Sequence, residues 1–402
     1  MPSMIRRTWY PTSGEPFLFD AYLPDPIAAL ELRLSAAVAA EIERAAVAVS
    51  ELQLEASLTG LEAASRQLLR SEALASSRIE GLEMDHERIA TALAGAERPD
   101  EVARSVIANI EAMERAVALA VEPRPFSVAD LLAIHDTLMV LPRERRYAGE
   151  PRHVQNWIGR SGLSPRDAEF IPPPEDLVPG LLDDLAAFVG RTDISPVARA
   201  AIAHAQLETI HPFVDGNGRV GRALIHVVLR RGGVAPRLVP PISVILATNR
   251  ARYVDGLTAF RAGDVESWLL LFAHVLEESA VASRSLGARL TELRADWTAR
   301  ARPRAGSAAE RLLTALPGSP VLSVRSAAKL VGVSYPAANQ GIERLEAAGI
   351  LVPVREDWRR NRLWSAPEVL ALLDDFDAAV ATPTRASEPG RPRPGPSGAG
   401  AP

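Results

Sequence analysis

The stretch HPFVDGNGRVGR, residues 211–222, packs a histidine, an aspartate, a glycine-rich turn and two arginines into twelve positions. Each of these residue types suits a different task in handling a nucleotide phosphate. A histidine can accept a proton near neutral pH, and an aspartate offers hard oxygen to Mg²⁺. Glycines let backbone N–H groups approach an anion, and arginines clamp phosphate oxygens with a fixed fork of donors. The stretch therefore predicts a phosphate site that contains a base and a metal ligand.

The residues around this stretch predict two helices joined by a short loop. Pro212 breaks a helix expected over Pro196–Ile210, and the next helix is expected to begin near Asn217. The glycines then lie at a helix N-terminus, where free N–H groups and the helix dipole favour an anion. Arg219 and Arg222 are three positions apart, so both can project near that end. A structural Gly-rich turn is the simpler alternative, but the polar residues of the stretch all suit one kind of ligand.

Length and composition indicate a folded protein of two or three domains. The chain has 402 residues, a hydrophobic fraction of 47% and no cysteine, which excludes disulfides, thiolate metal sites and cysteine nucleophiles. The formal net charge of −5 gives no general attraction to nucleic acid, so such binding would need a local patch. No segment reaches the roughly 18 apolar residues of a membrane span or resembles a signal peptide. We therefore expect a soluble, cytoplasmic protein without a membrane partner.

The basic residues are almost all arginine. Lys329 is the single lysine of the chain, and it lies in SAAKLVG. A Walker A loop requires a Gly-Lys-Ser/Thr run, and a protein kinase requires a lysine on a strand. Neither pattern is present, so P-loop and kinase chemistry are excluded. If the protein handles a triphosphate, it does so with arginines.

Hydrophobic spacing predicts a mainly α-helical chain. Residues 26–120 indicate several amphipathic helices. The first of these is expected to carry an apolar stripe at Ile27, Leu30, Leu34 and Val38. The helix after the GNG turn is expected to bury Val220, Leu224, Val227 and Val228. Between them, residues 143–175 predict an irregular β-hairpin formed by RHVQNWIG and EFIPPP.

The C-terminal part predicts a separate unit. ARPRAGS, residues 301–307, has the composition of a linker, and residues 308–377 have the spacing of a winged helix-turn-helix with a turn at Gly332. The candidate phosphate contacts of this unit are Arg325, Lys329, Arg344, Arg355, Arg359, Arg360 and Arg362. Acidic residues dilute this patch, so DNA binding and a protein-docking or dimerisation role both stay open. The Pro/Gly-rich tail, residues 383–402, is predicted to be disordered.

HPFVDGNGRVGR resembles the Fic motif, HPFx(D/E)GNGRxxR, at every specified position. The resemblance extends over about residues 10–375. LASSRIEGL resembles the inhibitory motif of that family, (S/T)xxxE(G/N), with Ser76, Glu80 and Gly81 in place. HVQNWIG and EFIPPP resemble the flap that docks a target backbone, and residues 249–269 resemble the segment that closes the adenosine pocket. The C-terminal unit resembles the winged helix often fused to such proteins.

The resemblance implies a fold and a domain order. The fold is a Fic-type helical bundle with a small β-hairpin flap, followed by a C-terminal winged helix. The implied divisions are an N-terminal helical region with the inhibitory motif (1–120), a catalytic domain (121–300), the linker (301–307), the winged helix (308–377) and the tail (383–402).

The activity implied by the resemblance is transfer of AMP from ATP to a Ser, Thr or Tyr hydroxyl of a target protein, or of the protein itself. His211 would take the hydroxyl proton, and Asp215 would hold Mg²⁺ at the phosphates. The nucleotide-binding residues carried over from the family are Gly216, Asn217, Gly218, Arg219, Arg222 and Tyr253, with Tyr253 at the adenosine end. Ile158 and Gly159 would lie on the target-docking flap.

The resemblance also implies a switch. In the family the inhibitory glutamate pairs with the second motif arginine, and here that pair is Glu80 with Arg222. Such a pair contributes about 1–3 kcal/mol, which is enough to suppress activity tenfold or more. The same glutamate could position water for the reverse reaction, the removal of AMP.

Other functions stay open on the sequence alone. The chain could be a DNA-binding regulator whose Fic domain senses nucleotide, or a toxin-like phosphotransferase. Because the motif does not select the base, transfer of UMP or phosphocholine is a further alternative. The phosphotransferring relatives alter the glycine region and use a lysine, whereas this chain keeps GNGR, which favours nucleotidyl transfer. A homodimer is also left open.

Overall fold

The computed structural model describes residues 3–10, 15–59, 62–95, 99–159, 164–354 and 362–381. These residues are mainly helical, with two small antiparallel sheets. The helices are α1 (Ala36–Thr59), α2 (Glu62–Ile79), α3 (His86–Leu93), α4 (Glu101–Ala120), α5 (Val128–Leu138), α6 (Val178–Val189), α7 (Pro196–Ile210), α8 (Asn217–Arg231), α9 (Ile242–Thr248), α10 (Arg250–Arg261), α11 (Val265–Ala301), α12 (Ala308–Ala315), α13 (Val324–Val331), α14 (Tyr335–Ala347) and α15 (Pro367–Ala381). The strands are β1 (Ser3–Trp9), β2 (Phe17–Leu23), β3 (Val321–Ser323), β4 (Val352–Pro353) and β5 (Leu363–Ser365).

The chain begins with a strand pair that the sequence analysis missed. Strands β1 and β2 are antiparallel, with Ser3 opposite Leu23 and Trp9 opposite Phe17. Strand β2 alternates charged or exposed positions with buried ones, as a half-buried strand does. The N-terminal region is therefore not purely helical.

The first helix also begins later than predicted. We expected Ile27 to open a helical stripe, but α1 starts at Ala36, so that prediction is wrong for its first three positions. The backbone N–H groups of Ile27 and Ala28 donate to the carboxylate of Asp184 instead, at 2.6 and 3.1 Å. Proline at position 26 restricts the preceding backbone as well.

Helices α7 and α8 pack against each other at the centre of the protein, and α8 also packs on α4. The predicted stripe at Val220, Leu224, Val227 and Val228 is fully buried. Trp268 on α11 donates its indole N–H to the carbonyl of Ala201 on α7, at 2.9 Å. Because both helices are enclosed on most sides, the loop that joins them is held in a fixed place.

The predicted flap hairpin is reduced to one antiparallel bridge within the described residues, between Ile158 and Phe170. Residues 160–163, at its tip, lie outside them. Side chains bond to carbonyls beside the bridge: Arg152 donates to Val154 O, and Gln155 donates to Pro172 O. The pairing is therefore shorter than the sequence pattern indicated.

The C-terminal unit contains α12, α13 and α14 with a sheet of order β3-β5-β4. Gly332, with a φ of 65°, caps the end of α13 at the turn expected from the sequence. Arg344 donates to the carbonyls of Ala301 and Arg302 and so holds the end of α11. Arg355, Arg359 and Arg360 lie outside the described residues, as does the tail 383–402. The winged-helix assignment and the domain limits stay predictions.

This unit packs on α2, the helix that carries Ser76 of the predicted inhibitory motif. Gln67 and Arg70 on α2 donate to the carbonyls of Pro317 and Gly318, at 2.9 and 3.0 Å. At the other end of α2, Arg78 Nη2 lies 3.1 Å from the carboxylate of Asp377. The C-terminal unit therefore contacts α2 at both ends.

Across the described ranges, no helix combines the length and the apolar character that crossing a membrane requires.

Candidate active site

The loop between α7 and α8 begins with His211 in an unusual backbone conformation. His211 caps α7 with a φ of 49° and a ψ of 59°, in the left-handed region. A non-glycine residue there costs about 1–3 kcal/mol and persists only where its surroundings fix it. The carbonyl of His211 accepts from Arg152 Nε at 2.9 Å and from Asn156 Nδ2 at 3.3 Å. These two side chains hold the loop in the conformation that directs His211 into the site.

The rest of the loop is braced by Asn217 and Gly216. The side chain of Asn217 accepts from Phe213 N at 2.8 Å and donates to Phe213 O at 2.9 Å. Gly216 has a φ of 82°, and a Cβ atom there would lie 2.7 Å from Met139 Cε. Asn217 therefore shapes the predicted anion cradle through its side chain, while the first N–H groups of α8 have no partner within the helix.

The imidazole of His211 is suited to act as a base. Burial, followed by the charges of Arg261 and Arg152, lowers its pKa to about 4. The ring is therefore neutral near neutral pH and can accept a proton. Its Nδ1 atom is buried without a hydrogen-bond partner in the described structure and lies 4.0 Å from Glu208 Oε2.

Asp215 places a carboxylate at the solvent side of the loop, with 60% of its side chain exposed. Its Oδ1 accepts from Gly216 N at 2.6 Å and lies 3.6 Å from Arg219 Nη2. Its carbonyl lies 3.1 Å from Nε2 of His135, which stacks on Phe213. Mg²⁺ commonly uses one or two carboxylates together with water and substrate phosphates, and the single, accessible carboxylate of Asp215 fits that donor set.

Arg222 is enclosed, and two of its guanidinium nitrogens are engaged. Its side chain is 1% exposed, and Nη2 lies 2.8 Å from Glu80 Oε1. Nη2 also donates to Ser76 O at 2.8 Å, while Nε donates to Ser76 Oγ at 2.9 Å. Burial opposes the charge, but the carboxylate of Glu80 holds the pKa of Arg222 above its ordinary value. In the same way burial of Glu80 is outweighed by Arg222, which keeps the pKa of that carboxyl below its usual range.

The carboxylate of Glu80 also lies against the first turn of α8. A Cβ atom at Gly218 would lie 2.1 Å from Glu80 Oε1 and 2.8 Å from Arg222 Nη1. The absence of a side chain at Gly218 is therefore what admits the carboxylate. Helix α2 ends at Ile79, and Gly81, with a φ of 82°, turns the chain directly after Glu80. The predicted inhibitory residues and the predicted anion cradle are thus in contact.

Arg219 takes a different direction from Arg222. Its side chain is 4% exposed, and Nη1 donates to Ser105 Oγ on α4 at 3.1 Å. Its Nη2 faces Asp215. Arg219 thus lies between α4 and the proposed metal ligand, whereas Arg222 lies against α2.

The remaining predicted residues lie at the edges of the site. Tyr253 is 4% exposed, with its hydroxyl 2.7 Å from His204 Nε2, and it lines a surface cavity of about 600 Å³. Its contact with adenosine stays a prediction. On the flap, Ile158 exchanges backbone hydrogen bonds with Phe170, at 2.8 and 3.1 Å, and the exposed Gly159 has a φ of 131°.

These features agree with a comparison against known protein families. Residues 125–229 match the Fic/DOC family. The matched segment contains the flap, α7, the loop and most of α8. It covers about a quarter of the chain and leaves α2 with Glu80 outside.

Curated relatives are similar to part of this chain. The chain is 32% identical over 176 residues to protein adenylyltransferase fic-1 of Caenorhabditis elegans. The match covers 43% of this chain and 31% of that protein. It is 32% identical over 174 residues to protein adenylyltransferase Fic of Drosophila erecta, covering 42% of this chain and 31% of that protein. The chain thus spans about a third of the length of these relatives.

A solved structure supports the fold over a longer region. A Fic family protein from Desulfovibrio desulfuricans G20 superposes with a TM-score of 0.53 at 20% identity, covering 83% of this chain and 97% of that one. At this identity the likeness shows the Fic fold alone.

Several residues at the candidate site were missed by the sequence analysis. They are His135, Arg152, Asn156, His204 and Glu208. The spacing of Glu208 and His204 before His211 was a usable signal, because positions three and seven apart share one helix face. Arg152 and Asn156 had no such signal, since their contacts with His211 join segments that are distant in sequence.

Proposed function

We propose that this protein transfers AMP from ATP to a Ser, Thr or Tyr hydroxyl of a target protein or of itself, and that Glu80 restrains the transfer. The observation that carries the proposal is the contact of Glu80 with both Arg222 and Gly218, beside His211. The protein adenylyltransferase relatives support the transferred group.

The chemistry follows from the placement of the loop. The neutral His211 takes the proton of the target hydroxyl as the oxygen forms a bond to the α-phosphorus. The bond from that phosphorus to the bridging oxygen breaks, and pyrophosphate leaves. The N–H groups at the start of α8 and the guanidinium of Arg222 bind the phosphates. Mg²⁺, when bound with the nucleotide, supplies charge neutralisation at the phosphates, and Asp215 would hold it.

Inhibition follows from the engagement of Arg222. Its guanidinium already contacts Glu80 and two oxygens of Ser76, so it is not free to clamp a γ-phosphate. A phosphate that approached Gly218 would also meet the negative charge of Glu80 and be repelled by it. ATP would then bind without the pose that aligns its α-phosphate.

Glu80 has a second proposed task, in removal of AMP. Its carboxylate is ionised and 35% of the side chain is exposed, so water can reach it beside the phosphate site. A carboxylate in that position can orient a water molecule for attack on the AMP–protein bond. We propose this reverse activity for the wild-type protein and its loss in Glu80→Gly.

The transfer is tested with ATP labelled at either the α- or the γ-phosphate. The Glu80→Gly protein is expected to acquire the α-label and not the γ-label, and Glu80→Gly/His211→Ala is expected to acquire neither. Incorporation of γ-label would identify a phosphotransferase instead. α-Label that persists without His211 would contradict the assigned base. Labelled UTP, GTP and CTP show whether AMP is the preferred group.

A further inference from the structure

Three polar residues of α7 lie on one face of the helix. His204, Glu208 and His211 are spaced four and then three positions apart. His204 is 0% and Glu208 is 7% exposed. Each of the three has a buried atom without a hydrogen-bond partner in the described structure, namely His204 Nδ1, Glu208 Oε1 and His211 Nδ1. Buried polar atoms nearly always find a partner, so this row requires a physical explanation.

Glu208 lies between the two histidines. A Cβ atom at Gly221 would lie 2.9 Å from Glu208 Oε1 and 3.0 Å from His204 Nδ1, so both atoms border the space left by that glycine. The other oxygen, Oε2, lies 4.0 Å from His211 Nδ1. The far nitrogen of His204 is fixed by the Tyr253 hydroxyl at 2.7 Å. A small side-chain movement would bring Oε2 into hydrogen-bond range of His211, and such bonds commonly tighten only in the complex with substrate.

We propose that Glu208 is a positioning residue for His211, whose carboxylate supplies the counter-charge when the imidazole takes a proton. This inference rests on the proposed function of His211 as a base. The target proton goes to Nε2, Nδ1 keeps its own proton, and Glu208 Oε2 accepts a hydrogen bond from Nδ1–H. No proton passes to Glu208.

The surroundings explain why a counter-charge is needed. Burial, Arg261 and Arg152 all disfavour the protonated form of His211, so the imidazolium formed during transfer is costly unless a negative group is near. The carbonyl of Glu208 also faces the ring. That carbonyl can fix which ring nitrogen of His211 carries the proton, but it carries no full negative charge. The counter-charge to the imidazolium is therefore supplied by the carboxylate of Glu208.

Glu208 titrates in a pH range where its effect on His211 can be measured. Burial raises its pKa to about 7, while Arg222 opposes the rise. The charged and titratable groups that face it are Arg222 on α8, Arg261 and Tyr253 on α10, Glu80 after α2, and His204 and His211 on its own helix. Below about pH 7 the carboxyl is neutral and lends no counter-charge, whereas above it the carboxylate is present.

The first test needs no nucleotide. In the wild-type protein, the ¹⁵N resonances of the His211 ring are expected to shift as pH rises through about 7, although His211 itself protonates only near pH 4. Glu208→Gln keeps the shape and the backbone carbonyl but loses the charge, so the shift should vanish. A wild-type ring that shows no shift near pH 7, or an unchanged shift in Glu208→Gln, would overturn the proposal. The wild-type titration alone decides the matter if the variant does not fold.

The second test is kinetic and uses the Glu80→Gly background. At pH 8, Glu208→Gln is expected to lower kcat at least about tenfold with little change in KM for ATP. Glu208→Asp should recover part of kcat, because it restores the charge. Loss of Glu80 removes a group that raises the pKa of Glu208. The midpoint pH of the kcat profile in this background should therefore lie at or below the midpoint pH of the wild-type His211 ring titration.

Gln206→Ala is the matched control. Gln206 is 2% exposed on the same helix, but it donates to the carbonyl of Asp25, away from the site. It should leave the pH dependence of kcat unchanged. If all variants lack transfer activity, the proposed function fails while the ring titration still decides the part played by Glu208. If Glu208→Gln transfers AMP with an unaltered pH profile, Glu208 is only structural.

Discussion

Glu80 Oε1 lies 2.8 Å from Arg222 Nη2, in the one place where the first turn of α8 has no side chain. The pair joins a residue at the end of α2 to the second arginine of the phosphate motif, 142 positions away. Because the guanidinium is 1% exposed and holds two further bonds to Ser76, the proposed inhibitory contact depends on the position of α2 as a whole.

Ser76→Ala should release Arg222 in part. The change removes the acceptor of Arg222 Nε but keeps the Ser76 carbonyl and Glu80. The loss of one hydrogen bond is worth about 0.5–1 kcal/mol, so we expect the rate of autolabelling with ATP to rise by about two- to fivefold. Ser71→Ala is the control, because Ser71 is 1% exposed on α2 and its hydroxyl makes no hydrogen bond in the described structure. Equal rates for the two variants would argue against a restraint by Ser76.

Gly218→Ala should destabilise the wild-type protein more than the Glu80→Gly protein. The added Cβ would lie 2.1 Å from Glu80 Oε1, so the carboxylate must move and weaken its pair with Arg222. Without Glu80 that part of the cost disappears. A double-mutant cycle of unfolding free energies should give a coupling of about 0.5–3 kcal/mol. If the two substitutions have additive effects on the unfolding free energy, the Glu80 carboxylate does not lie against Gly218 in solution.

Glu72 anchors α2 from its other side. It is 0% exposed, accepts from Ser243 N at 2.7 Å and from Ser243 Oγ at 2.6 Å, and lies 3.1 Å from His226 Nε2 on α8. Glu72→Ala leaves the Ser243 N–H and hydroxyl without this acceptor and His226 without a nearby carboxylate, so it should lower the free energy of unfolding by about 3–5 kcal/mol in urea titrations. Glu83→Ala, at an exposed position, should cost less than about 0.5 kcal/mol. If both variants lost a similar unfolding free energy, Glu72 would not anchor α2.

Asp377 should contribute stability that depends on pH. Burial opposes its charge, but His86 and Arg78 outweigh burial and hold the pKa of Asp377 below its ordinary value. The contribution is therefore complete above the unfolded pKa of about 3.9 and is lost as pH falls through the lower folded value. The difference in unfolding free energy between wild type and Asp377→Asn should be constant from about pH 6 to 8 and shrink below about pH 4. A difference that grows on acidification would contradict this sign.

The sequence predicted the structure correctly where the residues that determine it lie close together in the chain. The break at Pro212, the start of α8 and its buried valines follow from local spacing and from proline geometry. The pairing of Glu80 with Arg222 was reached only through the resemblance, because no local rule joins residues so far apart.

The failures of the sequence analysis have a common cause in distant partners. Ile27 does not open a helix, and its N–H bonds to Asp184, 157 positions away. The flap has one bridge within the described residues, and the prolines at 172–174 have no N–H to extend it. Glu72 and Glu208 look like ordinary helix-surface residues in sequence, and only the packing of α7, α8 and α9 buries them. DNA binding and dimerisation by the C-terminal unit stay predictions.

The most direct test of the central claim is the intact mass of the purified protein after incubation with ATP and Mg²⁺. The account predicts adenylyl additions on Glu80→Gly at a rate at least about tenfold above wild type. Glu83→Gly, which removes an exposed carboxylate from the same loop, should behave as wild type. A Glu80→Gly protein that gains AMP no faster than wild type would contradict the claim that Glu80 restrains this site.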